Sequence, residues 1–307
     1  MNFQIALSIV LLALFYMVPG YITAKLGKTN AEHLPTLSGV LIYIGSPFLV
    51  ISSFLSLEPS RENTLGMVYF FLATLILQTV FFLLVFFFSN AKKNAVRRII
   101  AMGATCGNVG FFGIPVVRAL FPHSPEVACY AICYTISMNI LVFTLGIYCL
   151  TGEKKYISLR AALCNPTMLG LLIALPLYFS NAARLLPDFL TTGAHTMASM
   201  TTPLCMFILG IRLASSPIKA IFCDKRIYIT SLLKLVLFPL FCLACAKLLP
   251  FDKAFEGALV ILSATPCAAV ILSLAEIHHS EEKASAACIL ASVLLCLFTI
   301  PLLALAI

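Results

Sequence analysis

Long apolar runs without a charged side chain recur along the chain, separated by short polar segments. Five of these runs cover residues 34–57, 127–150, 161–181, 189–211 and 284–307. Each reaches the ~20 residues that an α-helix needs to cross about 30 Å of hydrocarbon. Together with the intervening runs, the pattern predicts ten spans, over residues 3–22, 34–56, 64–88, 99–121, 126–150, 161–180, 187–211, 228–249, 255–276 and 284–306. We expect an all-α membrane protein whose function resides in its spans.

The fourth span contains a stretch that disfavours a continuous helix. Residues 103–115 include Asn108, Pro115 and four glycines. The glycines are Gly103, Gly107, Gly110 and Gly113. Glycine weakens a helix because it loses the most backbone freedom on ordering, and proline removes a backbone donor. The stretch predicts two half-helices joined by a short polar linker, with the break at Pro115. Such backbone survives in hydrocarbon only where it lines a cavity or is buried in protein, so we expect a binding site here.

Paired landmarks indicate an internal repeat. They recur at nearly one interval: 156 residues from Pro47 to Pro203, 156 from Gln78 to Lys234, and 151 from Pro115 to Pro266. The spacing predicts two five-span halves, residues 1–155 and 156–307. Because five is odd, the second half is inverted relative to the first. Inverted repeats with a broken helix in each half are typical of secondary transporters, with the substrate near the middle of the membrane.

The two breaks carry the candidate chemistry. Half-helix N-termini present unpaired N–H groups and the positive end of the helix dipole, which favour an anion. Asn108 adds a donor and an acceptor and either contacts substrate or only recaps the broken helix. Thr265 and Pro266, with Ser263, form either the second break or a simple proline kink.

Polar and proline positions in spans two and seven either line the facing side of the cavity or serve packing alone. They are Ser46 with Pro47 and Thr202 with Pro203. Lys234 lies inside span eight, about 10 Å deep, where it is either a functional counter-charge or a lysine whose stem snorkels to the interface. The candidate substrate-binding residues are Asn108, Gly107, Gly110, Gly113, Pro115, Ser46, Pro47, Thr202, Pro203, Thr265, Pro266 and Lys234.

Composition supports the membrane interpretation. Hydrophobic residues make up 61% of the chain and charged residues 10%, with a mean hydropathy of +1.05. A soluble domain carries about 25% charged residues. The net charge of +8 does not indicate nucleic acid, because the basic residues sit in short loops beside apolar runs. The twelve cysteines are scattered through these runs and are interpreted as small packing residues rather than metal ligands.

Basic residues predict the orientation, because cytoplasmic loops are enriched in Lys and Arg. Fourteen of them fall in odd-numbered loops: Lys25, Lys28, Lys92, Lys93, Arg97, Arg98, Lys154, Lys155, Arg160, Arg212, Lys219, Lys225, Arg226 and Lys283. Four fall in even-numbered loops: Arg61, Arg184, Lys247 and Lys253. We expect the odd loops in the cytoplasm and both termini outside. The first run is interpreted as a retained span of a protein integral to a bacterial inner (plasma) membrane.

Enzymatic motifs are absent from the sequence. It contains no H-E-x-x-H and no G-x-S-x-G, and no acidic pair lies near the middle of any span. An intramembrane hydrolase needs such groups. We therefore expect neither an enzyme nor a bound cofactor or metal. The same lack of carboxylates argues against an acidic sodium site, although one built from carbonyls and hydroxyls stays open.

These residues resemble the auxin efflux carrier family. The resemblance is carried by Gly107-Asn108-x-Gly110-x-x-Gly113-x-Pro115, Asn165-Pro166, Pro203-Leu204-x5-Gly210-x2-Leu213, Pro266, Leu274-Ala275-Glu276, Ala284-Ser285-Ala286 and Thr299-Ile300-Pro301. One departure is Thr265-Pro266-Cys267-Ala268, where the family more often places methionine before the proline.

The resemblance implies the ten-span fold of bile-acid symporters and sodium/proton antiporters, with helices 4 and 9 broken and crossing. It also implies a scaffold of spans 1, 2, 6 and 7, often dimeric, and a moving transport domain of spans 3–5 and 8–10. Substrates of the family are organic anions, with malonate or malate proposed for bacterial members.

We therefore expect a secondary carrier of small organic anions that works by elevator-like alternating access, alone or coupled to protons. The alternatives are a sodium-coupled symporter and a non-transporting sensor or channel. The expected partners are the anion, a coupling proton or sodium ion, the lipid bilayer and a second copy of the chain.

Overall fold

The computed structural model describes residues 3–91, 94–152, 154–215, 225–248, 251–277 and 282–307. Lys92, Lys93 and Lys219 of the charge count lie outside these ranges, as does residue 249, the predicted end of span eight. The described residues form helices and contain no β-strand, which confirms the predicted all-α class.

The helices follow the predicted spans in order. They are α1 (Phe3–Lys25), α2 (Ala31–Leu55), α3 (Arg61–Phe88), α4a (Ala95–Thr105), α4b (Val109–Leu120), α5 (Glu126–Cys149), α6 (Pro166–Phe179), α7 (Asp188–Ser215), α8 (Lys225–Ala246), α9a (Lys253–Ser263), α9b (Ala269–Ile277) and α10 (Glu282–Leu303). Within the described ranges, seven are long and apolar enough to cross a membrane: α1, α2, α3, α5, α7, α8 and α10. The helices α4b and α6 are shorter apolar helices.

The sixth helix begins later than predicted. A separate short turn, Leu159–Leu163, precedes it, and α6 itself starts at Pro166 rather than at residue 161. Proline disfavours the helical conformation at the residue before it, so Asn165 is extended and cannot continue the turn. Its side-chain oxygen accepts a hydrogen bond from the N–H of Met168 at 3.1 Å and caps α6 instead.

The fourth helix is interrupted at residues 106–108, so the predicted break at Pro115 is wrong. Pro115 lies inside α4b, two residues after the end of a π-helical turn over Val109–Gly113. The wider turn gives the proline ring room beside the carbonyl four residues earlier. The π-helical turns Val40–Gly45 and Leu233–Leu237 likewise end two residues before Pro47 and Pro239, and neither proline breaks its helix.

The helices pack in several close pairs, and α1 also contacts α10 and α4b. The helix α1 packs along α7, where Gly20 meets the backbone of Phe207 and Gly210 meets that of Met17. The lack of Cβ atoms there permits the close approach. The helix α2 packs on α6 and on the first part of α7, whereas α3 packs on α5, and α8 packs on α9a and α10. The helix α4a lies against α3, α8 and α10.

Candidate functional site

The interruptions of α4 and α9 pair with each other through their backbones. The N–H of Asn108 donates to the carbonyl of Pro266 at 2.7 Å, and the N–H of Ala268 donates to the carbonyl of Cys106 at 3.0 Å. Gly107 and Cys267 form an antiparallel bridge between these bonds. We call residues 106–108 and 264–268 the paired breaks. Their exchanged bonds satisfy buried backbone groups that neither helix can satisfy alone.

Gly107 is required by the closeness of its neighbours. A Cβ atom built on it would overlap the hydroxyl oxygen of Thr265 and lie 2.9 Å from the ammonium nitrogen of Lys234. Both side chains therefore lie directly beside the glycine. Only a residue without a side chain fits between them.

Lys234 is buried completely and points at the paired breaks rather than at the membrane interface. Its Nζ donates to the carbonyl of Ser263 at 2.6 Å and lies 5.0 Å from the centre of the Phe238 ring. Of the two sequence-based alternatives, the snorkelling geometry is not the one adopted.

A cavity of about 450 Å³ lies beside the paired breaks. It is bounded by α2, α4, α5, α6, α7 and α9b, and it extends toward the ends at which α2 and α6 begin and α7 ends. Its polar lining residues are Ser38, Tyr43, Ser46, Asn108, Thr135, Asn139, Asn165, Thr167, Arg212 and Ser273. The remaining lining is apolar, as is typical of small-molecule sites.

The cavity brings together four of the twelve candidate residues, namely Ser46, Gly107, Asn108 and Gly110. The other eight are described by the structure and lie outside its lining: Pro47, Gly113, Pro115, Thr202, Pro203, Thr265, Pro266 and Lys234. Gly113 faces the Leu262 and Thr265 side chains, and Pro47 lies against Gly170 of α6. Thr265 and Pro266 belong to the paired breaks, and Lys234 lies beside them at Gly107.

Thr202 compensates a group that Pro115 leaves unpaired. Proline lacks the N–H that would bond the carbonyl four residues earlier, which here belongs to Phe111. The hydroxyl of Thr202 donates to that carbonyl at 2.7 Å. The contact joins α7 to α4b at the wall of the cavity, where Phe111 itself lines the space.

Asn108 stands at the start of α4b with its side chain directed across to α7. Its Nδ2 lies 3.6 Å from the Cys205 sulfur, and its amide does not cap the helix that it precedes. The side chain is 6% exposed, and both residues line the cavity. The amide therefore does not recap the broken helix, and it lies at the cavity.

Sequence reasoning missed several polar residues of the cavity. Arg212 follows the predicted end of span seven, and its sequence position identifies it only as one of the basic residues that predict the orientation. Its Nη1 lies 2.8 Å from Oε1 of Glu276 on α9b. Thr135 and Asn139 lie inside the apolar run of α5. A polar amide within an apolar run is a signal that could have identified Asn139 from the sequence. Asn165 enters only through its family motif.

The charge distribution of the cavity is one-sided. Arg212 is the one charged side chain among the described lining residues. The first residues of α4b and α9b, Val109, Gly110, Ala269 and Val270, also line the space. The N–H groups at a helix start have no partner within the helix and carry the positive end of its dipole. That of Val109 donates outside the helix, to the carbonyl of Gly107 at 2.8 Å. Arg212 is itself paired with Glu276, which is not among the lining residues.

An all-α chain with membrane-length helices and a polar-lined cavity at two helix interruptions has the features of a membrane transport protein. Its sequence matches the family model described as membrane transport protein over residues 5–304. The chain belongs to this family, the auxin efflux carriers, which confirms the resemblance of its motifs. It is 26% identical to an uncharacterized transporter of Methanocaldococcus jannaschii over 288 residues, covering 91% of this chain and 92% of the relative. The protein is an integral membrane transporter and not an enzyme.

Proposed function

We propose that the protein is a secondary carrier of small organic anions such as carboxylates, and that the cavity beside the paired breaks is its binding site. One observation carries the proposal. The starts of α4b and α9b and the side chain of Arg212 face the same space, and no acidic side chain lines it among the described residues. Fixed dipoles and one cation stabilise an anion there without a metal ion.

The size and lining of the cavity narrow the substrate class. A volume of about 450 Å³ suits a small molecule, and the amides of Asn108, Asn139 and Asn165 offer both donors and acceptors. Arginine presents a planar fork that matches a carboxylate in a two-bond geometry. A mono- or dicarboxylate with a short apolar body therefore fits the chemistry of the lining.

We further propose a ten-helix fold of two inverted halves, residues 1–155 and 156–307, in which α4 and α9 cross. A scaffold of α1, α2, α6 and α7 then faces a transport domain of α3–α5 and α8–α10. The packing of α1 on α7 and of α2 on α6 supports the first group, and that of α3 on α5 and α8 on α9a supports the second. Because the cavity lies between the groups, sliding of one past the other would carry a bound anion, as in an elevator.

The positions of the basic residues support an orientation with the odd-numbered loops in the cytoplasm and both termini outside. In that orientation the cavity lies on the cytoplasmic side of the paired breaks. The proposed location is the plasma membrane, the inner membrane in a bacterium. We also propose that two copies of the chain form a homodimer through the scaffold, as the family resemblance implies.

A ligand screen on the purified protein tests the substrate class. We expect malonate, malate or a related carboxylate to raise the unfolding temperature at fixed ionic strength, whereas the uncharged diamide of malonic acid does not. A hit is then tested in proteoliposomes for saturable uptake and counterflow. Stabilisation by the diamide alone, or by amines, would contradict the assignment of an anion site.

The transport assay also separates the alternatives. A channel gives flux without saturation or counterflow, and a sensor gives binding without flux. A sodium-coupled symporter gives uptake that requires a sodium gradient. We expect saturable counterflow that proceeds equally in sodium and potassium buffers.

A further inference from the structure

The helices that line the cavity continue beyond it, past the paired breaks. On α2, Ser53 lies one turn beyond Leu49, which lines the cavity, and its hydroxyl donates to the Leu49 carbonyl at 2.8 Å. On α4b, Arg118 lies about two turns beyond Phe111, another lining residue. Ser53 is near the end of α2, whereas the cavity extends toward the start of that helix. Both residues therefore lie on the side of the paired breaks away from the direction in which the cavity extends.

Side chains from four helices meet at this place. Nη2 of Arg118 donates to the Ser53 hydroxyl at 3.4 Å, and the thiol of Cys129 on α5 donates to the Ser53 carbonyl at 3.5 Å. The hydroxyl of Ser52 lies 2.6 Å from Nδ1 of His195 on α7. We call Ser52, Ser53, Arg118, Cys129 and His195 the far cluster. The helices that supply it, α2, α4b, α5 and α7, also bound the cavity.

Arg118 is a cation without an anionic partner. No carboxylate of the described residues forms an ion pair with it, and the far cluster contains none. Its guanidinium points inward, because Ser53, whose hydroxyl accepts from it, is fully buried. His195 is exposed on the single chain, so the cluster reaches from the interior to the surface. A charged side chain within a membrane-spanning helix is costly unless it is paired, and such residues mark the pathways of ions and substrates.

We propose that the far cluster is a second anion subsite, in which Arg118 binds the same class of small carboxylate as the cavity. The inference rests on the proposed carrier function for the substrate class. The planar guanidinium matches a carboxylate in a two-bond geometry, and the Ser53 hydroxyl beside it adds a donor. The bound anion supplies the negative charge that the protein does not place at Arg118.

The two subsites lie on opposite sides of the paired breaks. Arg212 lines the cavity near the end of α7, and Arg118 lies in the last turn of α4b. In the proposed orientation, an anion meets Arg212 from the cytoplasm and Arg118 from outside. In the proposed architecture, the far cluster joins α2 and α7 of the scaffold to α4b and α5 of the transport domain. A carboxylate that enters from outside would replace the Ser53 hydroxyl as the partner of Arg118.

A first test uses binding alone. The unfolding temperature of the purified full-length protein is measured in malonate and in chloride at equal ionic strength. We expect Arg118→Gln to reduce the malonate-dependent rise by about 2 °C or more, because it removes a charged hydrogen-bond donor. Arg184→Gln is the matched control, because it removes an exposed arginine of an even-numbered loop, and it should keep the full rise. A purely structural role of Arg118 would shift the unfolding temperature equally in both salts.

A second test locates the subsite by side. In right-side-out vesicles, Arg118→Gln should raise the malonate concentration that half-saturates uptake by about tenfold or more, whereas in inverted vesicles the change should stay within about twofold. Arg118→Lys keeps the charge but loses the planar fork, so it should give a rise of about threefold on the outer side only. The lysine variant serves alone if Arg118→Gln does not fold. Equal changes on both sides would overturn the proposal.

The outcomes separate this inference from the carrier proposal. A malonate-dependent rise in unfolding temperature that survives in Arg118→Gln and is lost in Arg212→Gln would refute the far cluster and leave the cavity as the binding site. The same result is expected if a lipid phosphate, rather than a small carboxylate, neutralises Arg118. A rise that depends on Arg118, in a protein that shows no saturable flux, would support the subsite and contradict the carrier. An unmodified protein that malonate does not stabilise would refute both.

Discussion

Arg212 and Glu276 form an ion pair between α7 and α9b, with Nη1 and Oε1 2.8 Å apart. The side chain of Arg212 is 18% exposed and lines the cavity, whereas that of Glu276 is 44% exposed and is not among the lining residues. In the proposed architecture, α7 belongs to the scaffold and α9b to the transport domain. The pair therefore joins the two groups on the side to which the cavity extends. A carboxylate substrate would compete with Glu276 for the same guanidinium.

Arg212→Gln is expected to weaken malonate binding by about ten- to a hundredfold, because a hydrogen bond to a charged group is worth about 1.5–3 kcal/mol. Glu276→Gln should act in the opposite direction and tighten binding by up to about fivefold, since the competing ion pair is partly exposed and worth at most ~1 kcal/mol. Isothermal titration calorimetry on the two purified variants measures both effects.

The matched control for this pair is Arg184→Gln. It removes the ion pair of Arg184 with Glu58, which is 2.7 Å long and whose side chains are 64% and 79% exposed and do not line the cavity. Malonate affinity should stay unchanged. Weakening by Glu276→Gln as large as that by Arg212→Gln would show that the pair only holds the helices together.

Asn108→Ala is expected to reduce malonate counterflow by about tenfold or more, because it removes a neutral donor and acceptor worth about 1 kcal/mol each from the cavity. The fold should persist, since the bond that pairs the breaks uses the backbone N–H of Asn108 and not its amide. Asn108→Asp should be at least as defective, because a carboxylate there repels an anion. Asn63→Ala, which removes an exposed amide that bonds the Glu58 carbonyl, is the control. Normal counterflow in Asn108→Ala would remove this residue from the site.

Gly107→Ala should destabilise the protein by about 1–3 kcal/mol, the usual cost of overpacking, because its Cβ would meet Thr265 and Lys234. Gly193→Ala is the control: its Cβ would meet nothing within 4 Å. Because Gly193 lies inside α7, alanine there should be neutral or stabilising by up to ~1 kcal/mol. The measurement is the thermal unfolding temperature of both variants in detergent. Similar unfolding temperatures of the two variants would argue against close packing at the paired breaks.

The local signals in the sequence could place the interrupted helix but not the point of interruption. Apolar runs and the cluster of glycines with Pro115 are features of neighbouring residues, so they predict a span with a weak point. The helix opens at residues 106–108 because Cys106 and Asn108 exchange backbone bonds with Ala268 and Pro266. That exchange joins positions more than 150 residues apart, and no local pattern contains it.

The residues around the cavity likewise differ in whether local sequence signals can predict them. Asn108 is predictable because it is polar within a glycine-rich break. Arg212 is not, because a basic residue at the end of an apolar run has the same pattern whether it faces a loop or a cavity. For Lys234 the sequence leaves two alternatives, and the choice depends on the packing of α8 against the end of α9a. For both residues, tertiary contacts determine where the side chain lies.

Cys164 gives a test of which side the cavity faces. It is exposed, it lines the cavity, and it lies in the segment that connects α5 to α6, an odd-numbered loop. A thiol reagent that cannot cross membranes needs access to the thiolate, so it should modify Cys164 only from the side that carries the odd loops. Cys205 also lines the cavity but is buried and should react slowly. Inverted vesicles should therefore be labelled and right-side-out vesicles should not, if that side is the cytoplasm.

Malonate should slow this reaction, because an anion held between Arg212 and the start of α4b would occupy the space next to Cys164. The measurement is best made with Cys223 and Cys245 replaced by serine, since residue 223 lies outside the described ranges and Cys245 is partly exposed. Mass spectrometry of the labelled peptides then reports Cys164 alone, and Cys164→Ser supplies the baseline. Labelling from the opposite face alone would invert the proposed orientation. Labelling that malonate leaves unaltered, at concentrations that stabilise the protein, would place the anion somewhere other than this cavity.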